Sequence, residues 1–314
     1  MRNVRVPNTD FDLDVTLSLF DGMSGGQEAL KRAGISTRIY LASEISKFPK
    51  FITRKNHPLT VQIGDVTKVV VDDLPHVNLL LGGSPCQGFS KAGNGLNFDH
   101  PQSKLFFEFV RLLKDCKPDY FLLENVMMKQ EYQDVISNYL GVKPIKICSS
   151  LVSAQMRKRL YWTNIPNVNQ PINKNIQLKD ILLAKKTPLT DNVLVISEAT
   201  KKGYTEIEDG DCYDATFMVS KTRRGRNMKY KSNCLTAANY EYMRYEHPKS
   251  RKLTPLECSR LQTFNDDYLE DCYDDKGKPI SDSQKYRALG NGWTVDVIAH
   301  ILQGIKTNGQ KRYA

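Results

Sequence analysis

The chain has 314 residues, is 40% hydrophobic and carries a formal charge of +10. That length leaves room for a sizeable core in one or two domains, no apolar run approaches the roughly 20 residues needed to cross a bilayer, and the positive balance favours a polyanionic partner without proving one. Seven cysteines are dispersed without paired metal-ligand spacing, which fits reduced thiols better than a disulfide framework.

In chain order, "VTLSLF" (15–20) reads as a strand and "GQEALKRAG" (26–34) as a helix closed by Gly34. "RIYLASE" (38–44) gives a second strand ending at Glu44, "VQIGDV" (61–66) a third ending near Asp65, and "NLLLGG" (78–83) a fourth. "KLFFEFVRLLKDC" (104–116) has helical spacing, and "YFLLENV" (120–126) is a fifth strand. Buried strands separated by helices predict a doubly wound, parallel α/β sheet. Ligands of such sheets sit outside the carboxyl ends of the strands, where Asp21, Glu44, Asp65, Cys86 and Glu124 all fall. From about residue 167 the segments become short and polar, with an acidic stretch "TEIEDGDCYD" (205–214) and a basic one "KTRRGRNMKYK" (221–231). This predicts a smaller, irregular second domain. Helical patterns return in "TPLECSRLQTF" (254–264) and "VDVIAHILQGI" (295–305).

Between the first strand and helix, "LFDGMSGG" (19–26) places Gly22, Gly25 and Gly26 where a ligand can approach backbone and helix N-terminus. No Gly-Lys-Ser/Thr follows and Gly-x-Gly-x-x-Gly is not matched, so a phosphate-binding Walker loop is excluded and a nicotinamide cofactor is disfavoured. Glu44 suits a ribose diol in either cofactor class. Asp21 would repel a pyrophosphate but tolerate a ligand bearing an ammonium and a sulfonium, a description that fits S-adenosylmethionine. An ordinary tight turn is the bland alternative.

The run "GGSPCQGFS" (82–90) follows the fourth strand with a cysteine behind a proline, and Glu124 with Asn125 closes the fifth. Neighbouring strands lie about 5 Å apart, so Cys86 and Glu124 can face one substrate. A thiolate that adds to C6 of cytosine, beside an acid that hydrogen-bonds N3, turns the ring into an enamine nucleophilic at C5. Taken singly, Cys86 reads as a structural thiol and Glu124 as a salt-bridge partner; their joint placement favours the chemistry.

Here the chain resembles the DNA (cytosine-5) methyltransferases, over nearly its whole length and with the motifs in the family's order. "LFDGMSGG" resembles the cofactor loop, which implies contacts from Phe20, Asp21, Gly22, Ser24, Gly25 and Gly26. Glu44 is then the ribose acid with Ile45 beside it, Asp65 with Val66 faces adenine, and Ser84 precedes the catalytic Pro85-Cys86 pair. "ENV" (124–126) supplies Glu124 and Asn125; "SAQMRKRLY" (153–161), with Gln155, supplies Arg157 and Arg159, expected just after a strand and holding the target nucleotide. "LTPLECSRLQTF" (253–264) and "ALGNGWTVDVI" (288–298) match the closing motifs, adding Asn291 and Trp293 to the cofactor set. Phe-Asp-Gly and Gly-Asn-Gly-Trp depart from the bacterial norm; Asp21 and Trp293 resemble the animal de novo branch.

The resemblance implies a Rossmann-like catalytic and cofactor domain over 1–165, a target-recognition domain over 166–250, and a return segment over 251–314 whose last helix completes the first domain. It implies methyl transfer to C5 of cytosine in a specific double-stranded DNA sequence, a flipped base and a closing loop, "QGFSKAGNGLNFDHPQ" (87–102), with Gln87 and Ser90 facing DNA. In the basic stretch, Arg223, Arg224 and Arg226 are expected at the DNA, against a solvated loop as the plain alternative. Metal is not expected, nor a membrane; the expected state is a monomer, in a restriction-modification or phage-borne setting, with any cognate endonuclease acting separately. The N-terminal "MRNVRVPNTDFDLD" lacks the apolar segment of a signal peptide, so the expected location is the cytoplasm. The tRNA-methylating branch of the family is a competing reading, disfavoured because its Cys-Phe-Thr segment is absent. A non-catalytic accessory protein on this fold is another, disfavoured because Pro85, Cys86, Glu124 and both arginines are retained.

Overall fold

Short strands in the first half build a central sheet in which β1 (Leu13–Leu19), β4 (Leu79–Gly82) and β5 (Tyr120–Val126) are buried along most of their length. A computed structural model describes residues 11–84, 101–183, 193–215, 222, 227–237, 242–246 and 249–312. The chain separates into two compact units, one of residues 1–147, 158–170 and 298–314, the other of residues 148–157 and 171–297.

The first unit contains β1 (Leu13–Leu19), α1 (Gly25–Ala33), β2 (Thr37–Ser43), α2 (Lys47–Asn56), β3 (Val61–Gln62), β4 (Leu79–Gly82), α3 (Pro101–Cys116), β5 (Tyr120–Val126), α4 (Gln130–Leu140), β6 (Ile145–Cys148) and β7 (Lys158–Thr163). The strands form one seven-stranded sheet in the order β3-β2-β1-β4-β5-β7-β6. β1 pairs in parallel with β2 and β4, and β4 with β5. Strand order therefore reverses beside β1, the point at which open α/β sheets form a ligand crevice. Val15, Leu17, Leu19, Leu80, Leu123 and Trp162 are buried with Phe106 and Phe109 of α3 in one cluster. Gly82 is required by packing: a Cβ there would lie 2.7 Å from the Phe109 ring.

Two expectations change. The sheet is not parallel throughout, because β7 runs antiparallel to β5, with Val126 opposite Arg159. The third strand is only two residues long: Asp65 instead caps a 3-10 turn over Val66–Lys68, its Oδ1 accepting from the Thr67 amide at 3.0 Å.

The second unit is more regular than its polar sequence suggests. It holds α5 (Leu178–Ile181), β8 (Leu194–Ser197), β9 (Tyr204–Ile207), β10 (Cys212–Asp214), β11 (Asn227–Met228), β12 (Tyr242–Glu246), β13 (Lys249–Lys252), α6 (Pro255–Leu261) and α7 (Asp282–Asn291). β10 to β13 make an antiparallel sheet in the order β11-β10-β12-β13, and β8 pairs with β9. Ile196, Ile207, Tyr213 and Tyr245 bury one face of these short strands. α6 starts with a capping box, Thr254 and Glu257 bonding each other's backbone amides, and has Pro at its first turn. The last helix, α8 (Val295–Arg312), begins in the second unit and continues from Ile298 in the first.

Candidate active site

The carboxyl end of β1 turns sharply, with Phe20, Gly22 and Ser24 all left-handed at φ 57°, 60° and 61°. Only Gly22 adopts that conformation at little cost. Two carboxylates brace the turn. Glu44, directly after β2, accepts the Gly22 amide on Oε2 at 2.9 Å and the Ser46 amide on Oε1 at 2.7 Å. Asp21 accepts the Tyr40 hydroxyl on Oδ1 at 2.8 Å and the Ser24 hydroxyl on Oδ2 at 2.5 Å. Burial pushes the Asp21 carboxyl up from 3.8 to about 6; the hydroxyls of Ser24, Ser18 and Tyr40 pull against that, and the Glu44 charge adds to it. Gly25 and Gly26 are buried at the start of α1.

Asp65 completes a row of three carboxyl groups after β1, β2 and β3. The Thr67 amide and hydroxyl, both on its Oδ1, hold it below the usual carboxylate range. Val66 beside it is buried in the core. Ile45 is 73% exposed.

At the ends of β4 and β5 the second half of the site comes together. Asn125, fully buried, donates from Nδ2 to Ser84 Oγ at 3.3 Å, tying the residue before Pro85 to the Glu124–Asn125 pair. Glu124 is 9% exposed, and its Oε1 lies 2.9 Å from Arg159 Nε across the β5–β7 pairing. Pro85, Cys86, Gln87, Ser90, Arg223, Arg224 and Arg226 lie outside the described residues.

The two arginines do not follow a strand as expected: Arg157 precedes β7 and Arg159 lies within it. Their side chains also part company. Arg159 joins Glu124, whereas Arg157 is 4% exposed and donates to Leu235 O at 2.8 Å, Gly292 O at 2.8 Å and Gly290 O at 3.3 Å. Arg157 is thus a clamp within the second unit, committed to carbonyls instead of presented to a nucleotide. Gln155 and Gln262 extend the clamp: Gln155 accepts the Leu235 amide at 2.8 Å, and Gln262 donates to Leu289 O at 2.7 Å. Between these anchors Asn291 is exposed and Trp293 half-buried, both in the second unit. Tyr40 and Thr53, which bond Asp21 and Ser24 of this turn, are residues that motif spacing does not single out; only the fold brings them there.

Among the described residues no helix is long and apolar enough to cross a membrane, and no group of three or more His, Cys, Asp or Glu is placed to hold a metal ion. The first unit is thus a Rossmann-like α/β sheet with a row of three carboxyl groups beyond the carboxyl ends of its strands. The family model described as C-5 cytosine-specific DNA methylase matches residues 15–141 and 145–307. Among curated relatives, the type II methyltransferase M.NlaX of Neisseria lactamica is 30% identical over 319 aligned residues, covering 92% of this chain and 95% of its own. A type II methyltransferase of Lactococcus lactis subsp. cremoris is 28% identical, covering 91% of this chain and 76% of its own. A solved DNMT2 variant of Spodoptera frugiperda shares the fold, with TM-score 0.64, 20% identity, and coverage of 93% of this chain and 99% of that one. The chain belongs to the C-5 cytosine-specific DNA methylase family, and its activity is that of a DNA cytosine-5 methyltransferase.

Proposed function

We propose that the protein methylates C5 of cytosine within a specific double-stranded DNA sequence, using S-adenosylmethionine and a transient Cys86 adduct on a flipped base, as a restriction-modification or phage-borne protective methylase. The observation that carries this reading is the bonded pair of strand ends, Ser84 to Asn125 and Glu124 to Arg159, directly before the Pro85-Cys86 loop.

The residues fit the donor. Each Glu44 oxygen accepts one backbone amide, and a carboxylate oxygen has a second lone pair for a ribose hydroxyl. The Asp65 carboxylate suits an adenine amino group, and the row of acids suits a cation while opposing a pyrophosphate. Bound there, S-adenosylmethionine supplies an electrophilic methyl group on a sulfonium and is left as neutral S-adenosylhomocysteine. Phe20, Gly22, Glu44, Asp65 and Val66 are assigned to hold it.

Cytosine C5 is too poor a nucleophile by itself. Cys86 adds to C6 while the Glu124 carboxylic acid gives its proton to N3, so the charge that would move onto the ring ends on a carboxylate beside Arg159. Arg159 fixes the Glu124 carboxyl through its ion pair. Loss of the C5 proton re-forms the ring double bond and expels the Cys86 thiolate. C6 is inaccessible in a stacked base, so extrusion of the cytosine is required. Target choice is assigned to residues 166–250.

DNA carrying 5-fluorocytosine at the methylated site tests the mechanism, since fluorine cannot leave as a proton does. A denaturation-resistant protein–DNA adduct is expected with the wild type and none with Cys86→Ala, which is also expected to lose turnover while retaining donor binding. Turnover by Cys86→Ala, or no adduct on a duplex that the wild type methylates, would overturn it. Bisulfite sequencing of DNA from expressing cells reads out the target sequence.

A further inference from the structure

The donor loop is a strained turn held by an ordered chain of side chains. Phe20 and Ser24 both occupy the left-handed region, which is uphill for any residue with a Cβ. Ser24 Oγ donates its one hydrogen to Asp21 Oδ2 and lies 2.9 Å from Thr53 Oγ1. A hydroxyl has one hydrogen, so Thr53 must be the donor in that second bond. Tyr40 donates to the other Asp21 oxygen. The direction of every bond is thereby fixed: Thr53 to Ser24 to Asp21, and Tyr40 to Asp21. Thr53 lies on α2 and Tyr40 on β2, and both are buried, so two elements outside the loop determine its shape.

We propose that Tyr40 and Thr53 are positioning residues of the methyl-donor pocket, acting through Asp21 and Ser24 to hold the Phe20–Ser24 turn in its binding geometry before the donor arrives. This rests on the assignment of that loop to S-adenosylmethionine. Pre-organisation of this kind lowers the cost of binding without touching the reacting atoms. The groups facing Asp21 are Ser18 on β1, Ser24 at the start of α1, Tyr40 on β2 and Glu44 after it; of these only Glu44 is charged. Asp21 accepts on both oxygens, so protonation turns one of them into a donor and ends the one-way order of the chain.

The test measures donor KM and kcat by methyl transfer to DNA, with calorimetry of S-adenosylmethionine, on the full chain. Tyr40→Phe and Thr53→Val are each expected to raise donor KM about fivefold to tenfold, the size of one buried hydrogen bond, with kcat at saturating donor falling less than twofold. Thr53→Ser keeps the hydroxyl and is expected to match wild type. Thr37→Val removes a β2 hydroxyl that bonds Thr16 and is expected to leave donor KM unchanged. A pH series on the wild type needs no substitution: donor affinity is expected to fall as pH drops through about 6, where Asp21 takes up its proton. Wild-type donor KM in both Tyr40→Phe and Thr53→Val, or an equal rise in Thr37→Val, overturns the proposal while leaving the donor assignment intact. Wild type that does not bind S-adenosylmethionine overturns the donor assignment itself, and the proposal with it.

Discussion

Asp21 shows how one enclosed carboxyl can serve a site and burden a fold. Its pKa is raised from 3.8 to about 6, chiefly by burial, so the native state holds the proton more tightly than the unfolded chain. The associated stability is complete below about 3.8 and is lost as pH rises through about 6. Asp21→Asn removes the buried charge, and the variant is expected to be more stable than wild type at pH 8, by about 1–2 kcal/mol, and equal to it near pH 4. Thermal melts at the two pH values check the sign; a gain confined to low pH would contradict it. The same variant is expected to bind the donor less well, because an amide accepts on only one of the two atoms that Tyr40 and Ser24 now use. Asp21 and Glu44 stand out in the sequence because each closely follows a strand, whereas Asp65 stands out from a strand pattern of which only Val61–Gln62 is strand. Tyr40 and Thr53 were not, since one sits inside a strand pattern and the other inside a helix, and their shared partner is set by how β2 and α2 pack.

Among elements, β4 and β5 were readable to within a few residues as near-continuous apolar runs, β1 by its alternation of Leu and Val with Asp, Thr and Ser, and β2 by its β-forming Ile-Tyr-Leu centre. β7 was not. Its "KRLYWT" opens on two basic residues, and its antiparallel course depends on pairing with β5, which no local pattern encodes. The strands of the second unit are two to five residues long, and of β8 to β11 all but β10 are mostly half-buried or exposed, so they read as loops. Arg157 illustrates the same limit, being recognisable as a motif residue while its acceptors lie 78 to 135 positions along the chain. Removing that guanidinium takes a donor from the buried carbonyls of Leu235 and Gly290, while Gly292 O keeps the Gln262 amide at 3.1 Å. Arg157→Ala is therefore expected to cost about 1.5–3 kcal/mol, the scale for hydrogen bonds to a charged group, and Arg157→Lys less, because an ammonium can still reach some acceptors. Denaturant midpoints of both variants measure this. A wild-type midpoint in Arg157→Ala would mean that the clamp contributes nothing to stability.

At the scale of the molecule, the compact units cut the chain differently from a linear division at 165 and 250. Residues 148–157 group with 171–297 because Gln155 and Arg157 bond to 235 and 290–292, and the chain returns to the first unit with β7 and again with the later part of α8. Long-range bonds, not composition, decide those boundaries. The charge of +10 poses the remaining question at this scale, namely where DNA is gripped. The stretch 221–231 carries Lys221, Arg223, Arg224, Arg226, Lys229 and Lys231 with no acid. Two of these are already committed: Lys229 Nζ pairs with Glu208 at 2.7 Å, and Lys231 Nζ donates to the carbonyls of Ser150, Ser153 and Ile176. These two lie at the far end of the stretch, which leaves Lys221, Arg223, Arg224 and Arg226, of which the three arginines are the candidates for DNA. Where an arginine grips a phosphate, its replacement by alanine weakens binding to all duplexes alike and lowers the salt dependence by about one unit. Where it reads a base edge, the same replacement costs roughly 1–3 kcal/mol on the preferred site alone and relaxes one position of the target. Phosphate contacts outnumber base contacts at such interfaces, so at least one of the three alanine variants is expected to show the first behaviour. Binding of each variant to specific and scrambled duplexes across a salt series separates the two roles, and wild-type binding by all three throughout would move the DNA face elsewhere.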